Sequence, residues 1–341
     1  MAVQLGDIAL VKNLLNNGAD LEARNGEGQT PLHIATLNHN LEVIKVLFGA
    51  GINVEAKDNK RTAPIHYAAD SGKELIVRLL VNRLLEMKST VDIPDRQGAT
   101  ALYRAAANGH ASIVSILLQV AADKSGRPGL RLTESTNSAL KAAISGGYQE
   151  VVDVLLSAGC RPTHSELEKA VVGGNLDIVD ALLNAGANVN KRPSRFNRTA
   201  LQAAIEGRHE MIVARLLAAG ARTDEEVWDG SYIMTPLHIA VRTSQRSVNI
   251  VKKLLAAGAN VNEIGGNLQT PLQEATGLGD EEMIELLSAA SAEANPGREI
   301  SCAALLPGFE TNGRGFFANY FLGACPDPAA TETNSEKGNQ L

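Results

Sequence analysis

The stretch Thr30-Pro31-Leu32-His33, repeated as Thr235-Pro236-Leu237-His238, decides the fold. Altered copies stand between and after these two. With the Thr position as origin, units start at Thr30, Ala63, Thr100, Ser138, Ser165, Thr199, Thr235 and Thr270, at intervals of 33, 37, 38, 27, 34, 36 and 35 residues. A period in this range marks an array of small stacked helical units rather than a globule with one centre. The motif reads as a helix start. A Thr or Ser hydroxyl serves the free N–H groups of the first turn. Pro at the next position has the right φ and lacks an N–H that would be orphaned there. Leu follows at 32, 102, 140, 167, 201, 237 and 272 and points into the stack. Three residues later comes Ala, at 35, 105, 143, 170, 204, 240 and 275, small enough for neighbouring helices to approach closely.

Each first helix is expected to end near a glycine (Gly72, Gly109, Gly147, Gly174, Gly279), because glycine takes the left-handed conformation past a helix end at low cost. A second helix follows, with apolar pairs one turn apart: Val43-Ile44 with Val46-Leu47, Ile113-Val114 with Ile116-Leu117, Ile178-Val179 with Leu182-Leu183, Ile250-Val251 with Leu254-Leu255. That spacing gives one apolar face. A Gly-Ala-Asp or Gly-Ala-Asn turn (Gly18, Gly186, Gly258) then leads through a short extended hairpin to the next unit.

Period, capping residues, glycine positions and turn together resemble the ankyrin repeat family. The likeness covers residues 1–290 as about eight units plus an N-terminal partial unit, with 291–341 as a capping segment and disordered tail. The resemblance implies an all-α ankyrin-repeat α-solenoid with short β-hairpin fingers. It also implies a concave face, built from first helices and fingers, that binds other proteins.

Several places depart from the pattern. Ala2 to Asp7 matches only the end of a first helix before the second helix Ile8–Asn17, so the chain reads as a fragment with a mis-set start, or helix 8–17 is frayed. Units at Ser138 and Ser165 are 27 residues apart, which nearly removes the finger between them, and Cys160-Arg161-Pro162 stands at the turn. Ala121–Thr136 reads as a long connection, and Lys191–Arg198 and Thr223–Met234 as lengthened fingers. His39 and Arg208 replace the glycine between helices and are expected in a left-handed turn. The tail carries Phe309, Phe316, Phe317, Tyr320 and Phe321, expected to cover the flank of the last unit.

A net charge of −6 and a pI near 5.7 argue against direct nonspecific attraction to nucleic acid or acidic membrane. No apolar run approaches the ~20 residues of a membrane span. Cys160, Cys302 and Cys325 form neither a disulfide framework nor a metal spacing, which fits a reducing compartment. His33, His66 and His238 fall at the motif position and His110 and His209 at second-helix starts, all expected to be structural. There is no His-Glu-x-x-His, Cys-x-x-Cys, phosphate-binding glycine loop or nucleophile elbow. The chain therefore reads as a non-enzyme with no cofactor and no metal.

The fingers and first-helix ends hold the candidate contacts, because exposed turns in a regular array have no packing duty. They are Arg24, Asn25 and Glu27; Asn59, Lys60 and Arg61; Arg96; Arg195, Phe196 and Arg198; and Trp228 and Tyr232. Leu37, Asn38, Asp70, Asn108 and Arg242 join them from the helix ends. Arg192 to Arg198 reads as a cluster for an acidic peptide, phosphate or nucleic acid. The expected role is a monomeric protein-interaction scaffold or adaptor inside the cell, in cytoplasm or nucleus. Two alternatives stand beside it: a nuclear transcription co-regulator, and the targeting fragment of a larger protein.

Overall fold

A computed structural model describes residues 1–125, 134–192, 198–228, 233–243 and 248–294. The described chain is a run of antiparallel helix pairs. They are α1 (Ala2–Leu5) with α2 (Ile8–Asn16), α3 (Pro31–Leu37) with α4 (Leu41–Gly49), and α5 (Pro64–Asp70) with α6 (Glu74–Glu86). Next come α7 (Ala101–Ala107) with α8 (Ala111–Ser125), α9 (Glu134–Gly146) with α10 (Gln149–Ser157), and α11 (His164–Val172) with α12 (Leu176–Asn184). The pair α13 (Ala200–Glu206) and α14 (Glu210–Ala218) precedes a two-stranded hairpin, β1 (Val227–Trp228) and β2 (Ile233–Met234). The last pairs are α15 (Pro236–Arg242) with α16 (Val248–Ala256) and α17 (Pro271–Leu278) with α18 (Glu281–Ala294).

Helices pack on their own partner and on the corresponding helices of adjacent pairs, as expected for a quasi-one-dimensional stack. The alanines explain the tight first-helix row. Ala35, Ala105, Ala143, Ala204, Ala240 and Ala275 are fully buried. First helices consequently pack more extensively on one another than second helices do. The apolar pairs of the second helices close the layer behind them: Val43, Ile44, Val114, Val179 and Val251 are inaccessible to solvent. Each such side chain contributes roughly 1.5–3 kcal/mol by leaving water.

The motif histidine does more than cap. In α3, His33 Nδ1 accepts from the Thr30 N–H at 3.1 Å, which leaves Nε2–H to donate to the Thr62 carbonyl at 2.9 Å, in the next unit. His66 repeats the arrangement between Ala63 N–H, at 3.0 Å, and Ile93 O, at 2.8 Å. His238 Nε2 reaches Gln269 O at 3.1 Å. Each ring thus ties a helix start to the base of the following finger. Burial, only partly offset by the carbonyl bond, holds all three imidazoles below the ordinary histidine range.

Two expected starts shift. Ser138 lies inside α9, which begins four residues earlier at Glu134. Ser165 lies inside α11, whose cap is Thr163, with Glu166 Oε2 accepting from the Thr163 N–H at 2.9 Å. The leucine register is right in both, because Leu140 and Leu167 are buried. What differs is an extra stretch of helix at the N-terminus. Leu102 departs from the other motif leucines in being only half-buried. The connection expected over Ala121–Thr136 is helical at both ends, since α8 runs to Ser125 and α9 starts at Glu134.

Gly159 keeps the turn between α10 and α11 at φ +93°, with buried Cys160 in the alanine place. His39 and Arg208 both adopt the left-handed turn, each at φ +56°. Helix α2 is formed and capped, its Leu10 N–H donating to Asp7 Oδ1 at 2.9 Å. Past Ala290, α18 continues to Ala294. Residues 295–341, including the five tail aromatics, lie outside the described residues.

Candidate protein-binding surface

The fingers carrying Asp58 and Asp95 contact the first helices that follow them, through Tyr67 and Arg104, so there finger and first helix share a face. The turn is built by one acid or amide side chain. Asp58 Oδ1 accepts from the N–H of Lys60 at 2.8 Å and of Thr62 at 2.9 Å. Asp95 does the same for Gln97 at 2.7 Å and Ala99 at 2.9 Å. Asn25 serves Glu27 at 3.0 Å and Gln29 at 2.9 Å. Two backbone bonds close each of these loops, as from Asp58 N–H to Thr62 O at 3.0 Å and from Arg61 N–H to Asp58 O at 2.9 Å. Only the Val227–Met234 finger shows a ladder among the described residues, pairing Val227 with Met234 and Trp228 with Ile233.

Adjacent fingers are joined at their tips. Asn59 N–H donates to Glu27 O at 3.1 Å, Arg96 N–H to Lys60 O at 3.1 Å, and Gly266 N–H to Ile233 O at 2.7 Å. The tips in each joined pair are therefore held side by side rather than waving independently.

The second oxygens of the turn acids point at the first helices. Asp58 Oδ2 accepts from the Tyr67 hydroxyl at 2.6 Å. Asp95 Oδ2 pairs with Arg104 at 2.6 Å, and Asp70 pairs with the same guanidinium at 2.5 Å. Burial pushes the Asp58 carboxyl up, but the Tyr67 hydroxyl and the Thr62 and Lys60 N–H groups outweigh it and leave it below the usual range. Asp95 is likewise held low, burial being outweighed by Arg104 and the Ala99 and Gln97 N–H groups.

The candidate contacts sort by what they already hold. Glu27, Leu37, Asn38, Asn59, Lys60, Arg61, Arg96 and Asn108 are exposed, with Asn38 Nδ2 donating to Gln4 O at 3.2 Å and Asn59 Nδ2 to Gly26 O at 3.2 Å. Arg24 reaches the Gly28 carbonyl at 2.9 Å and the Lys57 carbonyl at 2.6 Å, so it braces two fingers. Asn25 is occupied by its own turn. Asp70 and Asn108 are linked, Asn108 Nδ2 donating to Asp70 Oδ1 at 3.2 Å. Arg242 lies 3.0 Å from the Met234 sulfur and 3.9 Å from a Glu274 carboxylate oxygen.

Two members of the Arg192–Arg198 cluster have carboxylate partners. Arg192 pairs with Glu225 at 2.7 Å, and Arg198 pairs with Glu206 and with Glu168. Trp228 belongs to β1, while Arg195, Phe196 and Tyr232 lie outside the described residues.

Tyr67 and Arg104 lie on first helices and not on fingers, so a reading of finger tips alone leaves them out. Both stand at the fourth helical position after the cap, the position that meets the finger; their recurrence 37 residues apart is the signal.

Among the described residues, no group of three or more His, Cys, Asp or Glu is placed to hold a metal, and no helix is long and apolar enough to cross a membrane. The buried thiol of Cys160 is pushed up by its burial.

Comparison with known proteins agrees with the repeat geometry. A family model described as ankyrin repeats in three copies matches residues 1–89, 80–166 and 167–264. The chain is also similar to the nuclear factor NF-kappa-B p105 subunit of Gallus gallus, 27% identical over 263 residues and 74% of this chain. The aligned region is 19% of that protein, so the chain spans about a fifth of the relative it matches. With the family model matching from the first helix pair to the last finger, and the caps, glycine turns and alanine row in the same register, the chain belongs to the ankyrin repeat family.

Proposed function

We propose that this chain is a non-enzymatic scaffold or adaptor that binds a partner protein along the face shared by fingers and first helices. Ankyrin repeats are protein–protein interaction modules; the finer role is our inference. The observation that carries it is the joining of adjacent finger tips, together with first-helix ends left exposed. Fixing those tips in advance removes ordering entropy that a flexible loop would lose on binding. A regulatory role in the nucleus is the second reading, and the similarity to the p105 subunit is what favours it.

The test places a photo-crosslinking residue singly at Leu37 or Asn108, on the first-helix ends, and at Lys45 or Leu75, on second helices. A discrete partner is expected from the first pair and not from the second. Equal capture from both faces, or none from either, would overturn the reading.

A further inference from the structure

Arginine residues in the C-terminal half are largely neutralised within the chain. Arg192, Arg198, Arg215 and Arg222 all pair with carboxylates of their own or adjacent units. The tips of the second and third fingers break that pattern. The side chains of Lys60, Arg61 and Arg96 are exposed and make no hydrogen bond or ion pair among the described residues. The three are neighbours, since Arg96 N–H donates to Lys60 O at 3.1 Å. The acids beside them face away: Asp58 toward Tyr67, and Asp95 toward Arg104.

The backbone fixes where Arg61 stands. The tip position following the turn takes a left-handed φ in four described fingers, at Gly28, Arg61, Gly98 and Leu268. Arg61 sits there at φ +59°, where an L side chain crowds its own carbonyl. Glycine fills the same place in the flanking fingers without that strain. The left-handed conformation lets Arg61 N–H close the turn onto Asp58 O at 2.9 Å, and the side chain is left exposed at the tip.

We propose that Lys60, Arg61 and Arg96 form a docking ridge for an acidic segment of a partner protein, whose carboxylates pair with the three cations. This rests on the protein-binding reading above and names the chemistry of that partner. A protein segment fits better than a nucleic acid. Glu27, Glu55 and Asp92 are exposed on the same three fingers. They would repel a continuous phosphate backbone but leave room for carboxylates spaced along a peptide. The ridge also sits where the Arg192–Arg198 cluster does not: on cations left without an internal partner.

The experiment uses the full chain and, as probe, a fluorescein-labelled glycine/serine peptide with glutamate at every third position. Binding is expected at low salt and is expected to be screened by about 0.5 M salt. The variant K60E/R61E/R96E should bind about tenfold more weakly or worse, the sum of three exposed pairs. A control, K12E/K45E/K252E, changes the net charge equally on the second helices and should bind within about threefold of the parent.

Arg61→Gly keeps the tip foldable whatever the triple variant does. It should weaken binding while leaving the Tm unchanged or raised. Equal loss in both triple variants would make the attraction a property of net charge and overturn the ridge. A single-stranded oligonucleotide that outcompetes the peptide would overturn the choice of partner. If crosslinking from Leu37 or Asn108 captures a partner that K60E/R61E/R96E retains at full strength, the ridge fails while the interaction reading stands.

Discussion

His33, His66 and His238 show how much one residue type carries. A histidine at this place accepts from the helix cap on one nitrogen and donates to the next unit on the other, so the neutral form is the one the fold needs. The sign of the pH dependence follows. Unfolded, each ring binds a proton near the ordinary value of 6.5; folded, it resists doing so. Below that value the unfolded chain takes up protons that the folded chain refuses, and stability falls. The Asp58 and Asp95 carboxylates, held low in the fold, add their own loss only at more acidic pH, below about 4. Thermal unfolding followed across pH 7 to 5 is expected to show a falling Tm. The fall should shrink in a His66→Gln variant, and a flat Tm over that window would contradict the account.

At the scale of one element, α11 separates two descriptions of the same sequence. Alignment on the repeat makes Ser165 the cap; the fold makes it Thr163, which leaves Glu166 in the third helical position to reach back. Thr163→Ala is therefore expected to cost about 1 kcal/mol in denaturant unfolding, whereas Ser165→Ala should cost under about 0.5 kcal/mol. The reverse order would restore the alignment reading.

The second helices show a related economy. The residue preceding several of them lies over the left-handed residue of the unit before. A Cβ on Gly72 would stand 2.7 Å from the His110 ring, and one on Gly109 would stand 2.6 Å from Tyr148. Glycine at these places is required twice, by its φ of +71° or +76° and by the ring above it. Where the position holds His39 instead, the residue before the next second helix is Lys73, which carries no ring.

At the scale of the molecule, stability is a sum of local terms with no common centre. The first helix pair is the weakest of these. It buries only Ala2 and Val11 fully, while Leu5 is 70% exposed and Leu14 45%. Hydrogen exchange is expected to be fastest across α1 and α2 and slowest near α5 to α7, where both neighbours are present and the histidine bridges accumulate. Uniform protection along the stack would instead indicate one cooperative body.

The sequence alone determined the period, the helix pairs, the alanine row, the left-handed turns at His39 and Arg208, and the class of partner. These depend on local stereochemistry and on a pattern repeated in each unit, so each is visible within about one period of chain. Tertiary structure decided which finger residues are available. Arg198 and Arg96 look alike in sequence, yet Glu168 and Glu206 hold the first and no described side chain holds the second. Asn25 and Asn59 both sit at finger tips, and only the fold shows the first bonded into its own turn and the second donating from Nδ2 to Gly26 O of the adjacent finger at 3.2 Å. Pairing of charges between units depends on how far one unit is rotated against the next. That rotation is set by packing of side chains some thirty or more residues apart, which no local pattern encodes.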